Sequence, residues 1–187
     1  MSSFKTDGVI LKRTNFGEAD KIFTVFTKHY GKLRLLAKGV RKITSKKAPH
    51  LEPFSLTRIF VAKGTNLGLV TEAEVVNNFS RLRSDLKKIG LAYQICELTD
   101  RLCPDEQVNR SLFELLVNEL IKLNSYASEE NYPINDFILK LLWDLGYLPK
   151  GKTLPHQDVQ TFVEEVMEHK LKSSDLLTKI EELTLRP

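Results

Sequence analysis

The chain has 187 residues, 42% hydrophobic and 28% charged, which is typical of a soluble globular protein and excludes a fully disordered chain. No apolar run approaches the roughly 18 residues of a membrane span, and the opening residues, MSSFKTDGVILK, lack the apolar core of a signal peptide, so we expect a cytoplasmic protein. The net charge of +4 is unevenly distributed, since residues 1–80 carry 14 Lys and Arg against six Asp and Glu, which favours a polyanionic partner for this part.

The first part of the chain shows the period-two alternation of β-strands. This pattern predicts five strands, over residues 4–12, 21–27, 32–38, 55–62 and 69–76. The last two flank Gly-Thr-Asn-Leu-Gly, which is typical of a hairpin turn. Five short strands with tight turns predict a small closed or nearly closed β-barrel.

One long basic run crosses these strands. From residue 21 to residue 51 there are nine Lys and Arg and no Asp or Glu. A row of cations on a strand, continued by a basic loop, can follow a phosphate backbone and release its counterions. We therefore predict nucleic-acid contacts at Lys32, Arg34, Lys38, Arg41, Lys42, Lys46 and Lys47. Aromatic candidates for base stacking are Phe16, Phe23, Phe26, Tyr30 and Phe60, although most of them fit the barrel core equally well. A solvated basic face without a ligand is the alternative interpretation.

After residue 78 the pattern becomes helical. A first helix is predicted from a cap at Ser80 or Ser84 to a stop at Pro104, and a second over 108–123. A third is predicted from a cap at Asn135 to Gly146. The last segment, 156–185, is predicted to be helical with a break at the Ser-Ser pair 173–174. The sequence therefore predicts an α+β protein, with a β-barrel followed by an all-helical region.

No segment carries a convincing catalytic motif. The string GYLPKGKT, residues 146–153, fits the spelling of a P-loop, but helical patterns precede it and Leu-Pro follows it, whereas a P-loop needs a strand before it and a helix after it. An ATPase is therefore the least favoured hypothesis. Cys96 and Cys103 lie about two turns apart on one predicted helix, too far for a disulfide, so we expect reduced thiols.

Several short motifs in the first part resemble one bacterial family. In chain order they are DGVILK (7–12), GEADK (17–21), FTKHYGK (26–32), AKGVR (37–41) and LEPF (51–54). Their order and spacing resemble the N-terminal part of the RecO family of recombination mediators. The string FILKLLWDLGYLP, 137–149, resembles the helix and turn before that family's zinc module.

The resemblance implies an OB-fold DNA-binding domain over 1–79 and a helical domain over 80–187. It also implies a non-enzymatic mediator of DNA repair and recombination, which binds single- and double-stranded DNA, anneals complementary strands and loads RecA together with RecR. No cysteine follows Pro149, so we expect no zinc ribbon, no zinc and no other cofactor. Bacterial cytoplasm, in association with the nucleoid, is the expected location.

The alternative function is that of a protein-interaction adaptor, with DNA binding secondary. In the RecO family such an adaptor would bind the acidic C-terminal tail of the single-stranded DNA-binding protein (SSB). The candidate partner-binding cations lie near the first predicted helix: Arg81, Arg83, Lys87, Lys88 and Arg101. Ordinary helix-surface charge is the competing interpretation of these residues.

Overall fold

The structure, a computed structural model, describes residues 3–64, 66–127 and 132–184. These residues separate into two compact units. The first contains the chain up to Asn78 together with Pro104–Phe113, and the second contains Phe79–Cys103 together with the residues from Glu114 onward.

The first unit is built around a closed five-stranded barrel, which confirms the predicted barrel. Its strands pair in the order β1-β2-β3-β5-β4, with β3 and β5 parallel and all other neighbours antiparallel. This is the connectivity of an OB fold. The strands are β1 (Ser3–Phe16), β2 (Asp20–Thr27), β3 (Gly31–Ala37), β4 (Leu56–Ala62) and β5 (Gly68–Asn77).

The barrel interior is filled by the alternate apolar residues of every strand. Burying each of these side chains stabilises the fold by roughly 1.5–3 kcal/mol relative to leaving it exposed. The buried cluster includes Ile10, Phe23, Val25, Leu35, Ile59, Val61 and Val70. Burial in β1 ends after Leu11, and residues 12–16 are exposed while still pairing with β2. β1 is therefore longer than the predicted strand 4–12, and its end forms a projecting hairpin with β2.

The first half of β3 is completed by a segment from far along the chain. β3 pairs with β5 only at Leu35 and Leu36, which leaves the edge at Lys32 without a strand neighbour. The N–H of Glu106 donates to the Lys32 carbonyl at 2.9 Å, and Asp105 forms an isolated parallel bridge with Lys32. This segment covers an edge that would otherwise present unpaired backbone groups.

The second unit consists of helices, as predicted. They are α1 (Leu86–Leu102), α2 (Arg110–Ser125, whose first turn belongs to the barrel unit), α3 (Ile134–Leu145), α4 (His156–Met167) and α5 (Lys172–Thr184). Their buried faces include Ile95, Leu98, Leu116, Leu120, Leu141 and Leu142. In the described residues no helix combines the length and the apolar character needed to cross a membrane.

Three predicted helix limits are wrong. Asp85, rather than Ser80 or Ser84, caps α1, because its carboxylate accepts the N–H groups of residues 87 and 88. Pro133, rather than Asn135, precedes α3. The break between α4 and α5 lies at 168–171 rather than at 173–174. The predicted end of α3 is confirmed, because Gly146 follows the helix with φ +79°.

Candidate nucleic-acid interface

The loop after β3, residues 38–47, is fastened to the tip of the β1–β2 hairpin; we call it the basic loop. The N–H of Gly39 donates to Asp20 Oδ1 at 2.7 Å. At the tip, residues 17–19, the Arg41 N–H donates to the Ala19 carbonyl at 2.9 Å, and the Arg41 guanidinium donates to the Gly17 carbonyl at 3.3 Å. These hydrogen bonds set the position of the first half of the basic loop against the hairpin.

The second half of the basic loop is also ordered by hydrogen bonds. The N–H of Lys42 donates to the Gly39 carbonyl at 3.1 Å, and that of Ser45 donates to the Lys42 carbonyl at 2.9 Å, which makes two successive turns. The loop then enters a 3-10 turn, Ala48–His50, where His50 Nδ1 accepts the N–H of Val75 at 3.3 Å. Both ends of the basic loop are thus anchored to the barrel.

Five of the seven predicted DNA-contacting cations are exposed. Arg34 lies on β3, and the other four lie on the basic loop. None of the five forms an ion pair with a carboxylate in residues 3–64, 66–127 or 132–184. The five are Arg34, Lys38, Arg41, Lys42 and Lys46.

The other two predicted cations are engaged by the protein itself. The Lys32 side chain is only 10% exposed, and its ammonium lies 3.1 Å from Asp105 Oδ1. Lys47 is half-buried, and its ammonium donates to the Val70 carbonyl at 3.0 Å, where it covers part of the β5 edge. No sequence pattern predicts the Lys32 pairing, because its partner is 73 positions away and belongs to an irregular segment.

Other cations of the barrel pair with its acids. The Arg13 guanidinium contacts both oxygens of Glu52, at 2.7 and 2.8 Å. The Arg58 guanidinium donates to Asp7 at 2.9 Å, and this hydrogen bond raises the pKa of Arg58. These two pairs engage Glu52 and Asp7, which both lie outside the basic loop.

The five aromatic candidates divide between core and surface. Phe23 and Phe26 are buried, and Phe60 is half-buried beneath the Lys5 ammonium, which lies 5.5 Å from its ring centre. Tyr30 packs on another ring of the barrel at 4.1 Å between centroids. Phe16 is 51% exposed at the end of β1, directly before the hairpin tip. Phe16 therefore offers the largest free ring surface of the five.

The helical unit contains a cleft of about 600 Å³. Its walls come from α1, α3, α4, α5 and the residues around the end of α2. Two of the five predicted partner-binding cations, Lys87 and Lys88, line this cleft, and Lys88 is only 9% exposed. Apolar residues of the lining include Leu91, Ile138, Leu177 and Ile180.

The other three predicted partner-binding cations do not line the cleft. Arg81 and Arg101 are exposed, and Arg83 is half-buried. The structure therefore groups Lys87 and Lys88 with an apolar cavity and leaves these three arginines elsewhere on the helical unit.

The P-loop-like string joins two helices. α3 ends immediately before Gly146, and α4 begins only at His156, so the string neither follows a strand nor opens a helix. Trp143 Nε1 donates to the Lys152 carbonyl at 2.8 Å, which holds the loop against α3. This arrangement lacks the helix N-terminus on which a P-loop holds phosphate.

Neither a metal cluster nor a reactive thiol is found in the described part of the chain. Its residues contain no group of three or more His, Cys, Asp or Glu placed to hold a metal ion. Cys96 and Cys103 are free and buried, and burial raises the pKa of the Cys96 thiol.

Comparison with known proteins identifies relatives of both units. The family model "Recombination protein O N terminal" matches residues 1–79, and "Recombination protein O C terminal" matches residues 83–152. A DNA repair protein RecO from Roseiflexus sp. (strain RS-1) is 39% identical over 147 residues, which are 79% of this chain and 51% of the relative.

Two further relatives carry the same name. The protein from Pelotomaculum thermopropionicum is 36% identical over 156 residues, 83% of this chain and 60% of the relative. The one from Oceanobacillus iheyensis is 33% identical over 145 residues, 78% of this chain and 56% of the relative. This chain thus spans between one half and three fifths of the length of these relatives. With both family models matched and these identities extending over most of its length, the chain belongs to the recombination protein O (RecO) family.

Proposed function

We propose that this chain is a non-enzymatic DNA-binding mediator of recombinational repair. It binds single- and double-stranded DNA, anneals complementary strands and acts with RecR to load RecA, in the bacterial cytoplasm at the nucleoid. DNA binding is assigned to residues 1–79 and partner binding to residues 80–187. The observation that carries the proposal is the group of five exposed cations on β3 and the basic loop, none of them paired with a carboxylate of the described residues.

Annealing by such a surface is electrostatic. Two single strands repel each other through their phosphates, and cations held on an ordered loop lower that repulsion where the strands meet. Each phosphate contact also releases condensed counterions, which favours binding most strongly at low salt. The strands then pair by their own base complementarity, so no nucleotide cofactor or covalent step is needed.

The test is the salt dependence of DNA binding by a variant with four exposed cations removed. Arg34, Lys38, Arg41 and Lys42 are changed together to Ala, and affinity for a labelled single strand is measured from low to moderate salt. Because each phosphate contact on a single strand contributes about 0.7 to the logarithmic salt slope, we expect the slope to fall by about 3. Affinity should fall alike for unrelated sequences.

A matched control removes the same charge from the helical unit. Lys140, Lys150, Lys170 and Lys179 are exposed there and are changed together to Ala. The control variant should keep most of the wild-type salt slope, since it lowers net charge without touching the basic loop. Equal slopes in the two variants would show that net charge, rather than this surface, drives binding.

A second candidate function is binding of the SSB C-terminal tail in the cleft of the helical unit. The observation that favours it is Lys88, whose ammonium makes no ion pair or side-chain hydrogen bond with any described residue although the side chain is nearly buried. An acidic peptide with an apolar end would give this ammonium a partner and place apolar groups against Leu91 and Ile138.

The test of this second function is titration of a labelled peptide that carries several aspartates and an apolar C-terminal residue. Lys87→Ala and Lys88→Met together should weaken its binding at least ~10-fold, because both remove a cation that faces the peptide while the methionine keeps the buried stem. Lys140→Ala is the control and should bind as the wild type does. Absence of measurable binding by the wild-type chain would eliminate the adaptor hypothesis.

A further inference from the structure

Two apolar side chains are exposed on or beside the basic loop of the proposed DNA site. Ile43 lies in the middle of the basic loop and is fully exposed, at 105% of its reference area. Phe16 is 51% exposed at the end of β1. Each lies within two residues of the hydrogen bond between the Arg41 guanidinium and the Gly17 carbonyl, so both lie at the same end of the barrel.

The backbone around Ile43 is ordered by a turn. Ile43 follows Lys42 in the turn that the Ser45 N–H closes on the Lys42 carbonyl at 2.9 Å, which presents its side chain outward. Phe16 is likewise held in strand pairing, opposite Asp20 in β2. Neither side chain contributes to the barrel core, and single exposed apolar residues need no explanation by themselves. Their shared location on or beside the basic loop is the feature that calls for one.

The chemistry of this surface differs from that of a purely electrostatic one. Lysines and arginines bind phosphates of any nucleic acid, whereas a ring face and a branched aliphatic group gain only from contact with other apolar surface. The faces of nucleobases supply such surface, and they are accessible in a single strand but stacked on one another inside a duplex.

We propose that Phe16 and Ile43 contact the faces of unpaired bases while Lys38, Arg41 and Lys42 hold the adjoining phosphates. This inference rests on the proposed function, because it assigns the ligand preference of the same site. The cations bind single strands and duplexes alike, and the two apolar side chains add affinity only for unpaired nucleotides.

The experiment compares a labelled oligothymidylate with a blunt hairpin duplex for the wild type, Phe16→Ala, Ile43→Ser and the double variant. We expect the double variant to bind the single strand at least fivefold more weakly, which is the lower end of the effect of removing one stacking partner. Its affinity for the duplex and both salt slopes should be unchanged, since no charge is altered. Val76→Ser is the control, because Val76 is 48% exposed on β5 and should matter for neither probe.

A second probe tests base contact without changing the protein. A single strand with abasic sites keeps its phosphates but lacks base faces, so the wild type should bind it as weakly as the double variant binds oligothymidylate. Equal losses on strand and duplex, or no loss on either, would overturn the inference and leave the proposed function intact. A wild-type chain that binds neither probe would overturn both.

Discussion

Replacement of Gly31 by Ala tests whether the pairing of the segment around Asp105 with β3 stabilises the barrel. Gly31 is the first residue of β3 and has φ +68°, a backbone conformation that residues other than glycine rarely adopt. A Cβ placed there would lie 2.7 Å from the amide nitrogen of Gln107 and closer still to its carbonyl group. Because the obstacle is backbone rather than a flexible side chain, the segment must move away from β3.

The size of the effect follows from what that movement breaks. The left-handed conformation costs about 1–2 kcal/mol for a residue with a Cβ. Loss of the Glu106 N–H bond to the Lys32 carbonyl costs about 1 kcal/mol more. The ion pair of Lys32 with Asp105 adds about 1 kcal/mol, since the Asp105 side chain is 61% exposed and solvent screens it. A total of about 3–4 kcal/mol corresponds to a fall in Tm on the order of 10 °C.

Gly17→Ala provides the matched control. Gly17 also has a positive φ, +57°, but a Cβ there would meet no atom within 4 Å, so the substitution introduces the backbone strain without the collision. Thermal unfolding followed by circular dichroism should show the smaller loss for Gly17→Ala. Hydrogen exchange should show a faster-exchanging Glu106 amide only in Gly31→Ala. Equal losses of stability together with a protected Glu106 amide would refute the reasoning.

Three further outcomes are expected. The Glu97 carboxylate accepts the first two N–H groups of α5, at 3.0 and 2.8 Å. Glu97→Gln should therefore lower the urea midpoint of unfolding by an amount equivalent to about 1–2 kcal/mol, and an unchanged midpoint would contradict this. Asp105→Asn should remove a carboxylate charge beside Lys32 and tighten DNA binding at low salt by roughly twofold or more, and an unchanged affinity would contradict this. Cys96 and Cys103 should react with a thiol reagent only after unfolding, and rapid reaction of the native protein would contradict their burial.

The barrel could be predicted because its signals are local. Period-two alternation and the turns between consecutive strands can each be recognised within about ten residues of sequence, and three of the five pairings join consecutive strands. The extension of β1 to Phe16 could not be predicted in this way. Residues 12–16 bury none of their side chains, so only their backbone pairing with β2 makes them a strand.

The helix limits failed where a tertiary contact replaced a local one. The pair Ser173 and Ser174 predicted a break between two helices, because serine favours helix caps and turns. In the folded chain the N–H of Ser173 is accepted by Glu97, 76 positions earlier, and α5 continues through both serines. The actual break follows Glu168, which has φ +56° and carries no glycine or proline signal.

Buried and exposed members of the basic run behave differently because burying a charge costs far more than exposing one. The Lys32 ammonium has lost most of its water and is stable beside Asp105, whereas Lys38, Lys42 and Lys46 keep their water and need no partner within the protein. Salt screens the mutual repulsion of such exposed cations beyond about 8–10 Å. A single carboxylate would gain little on this loop, since an exposed ion pair contributes about 0–1 kcal/mol. A polyanion brings several phosphates at once and releases a counterion at each, which supports the proposed assignment of DNA binding to this loop.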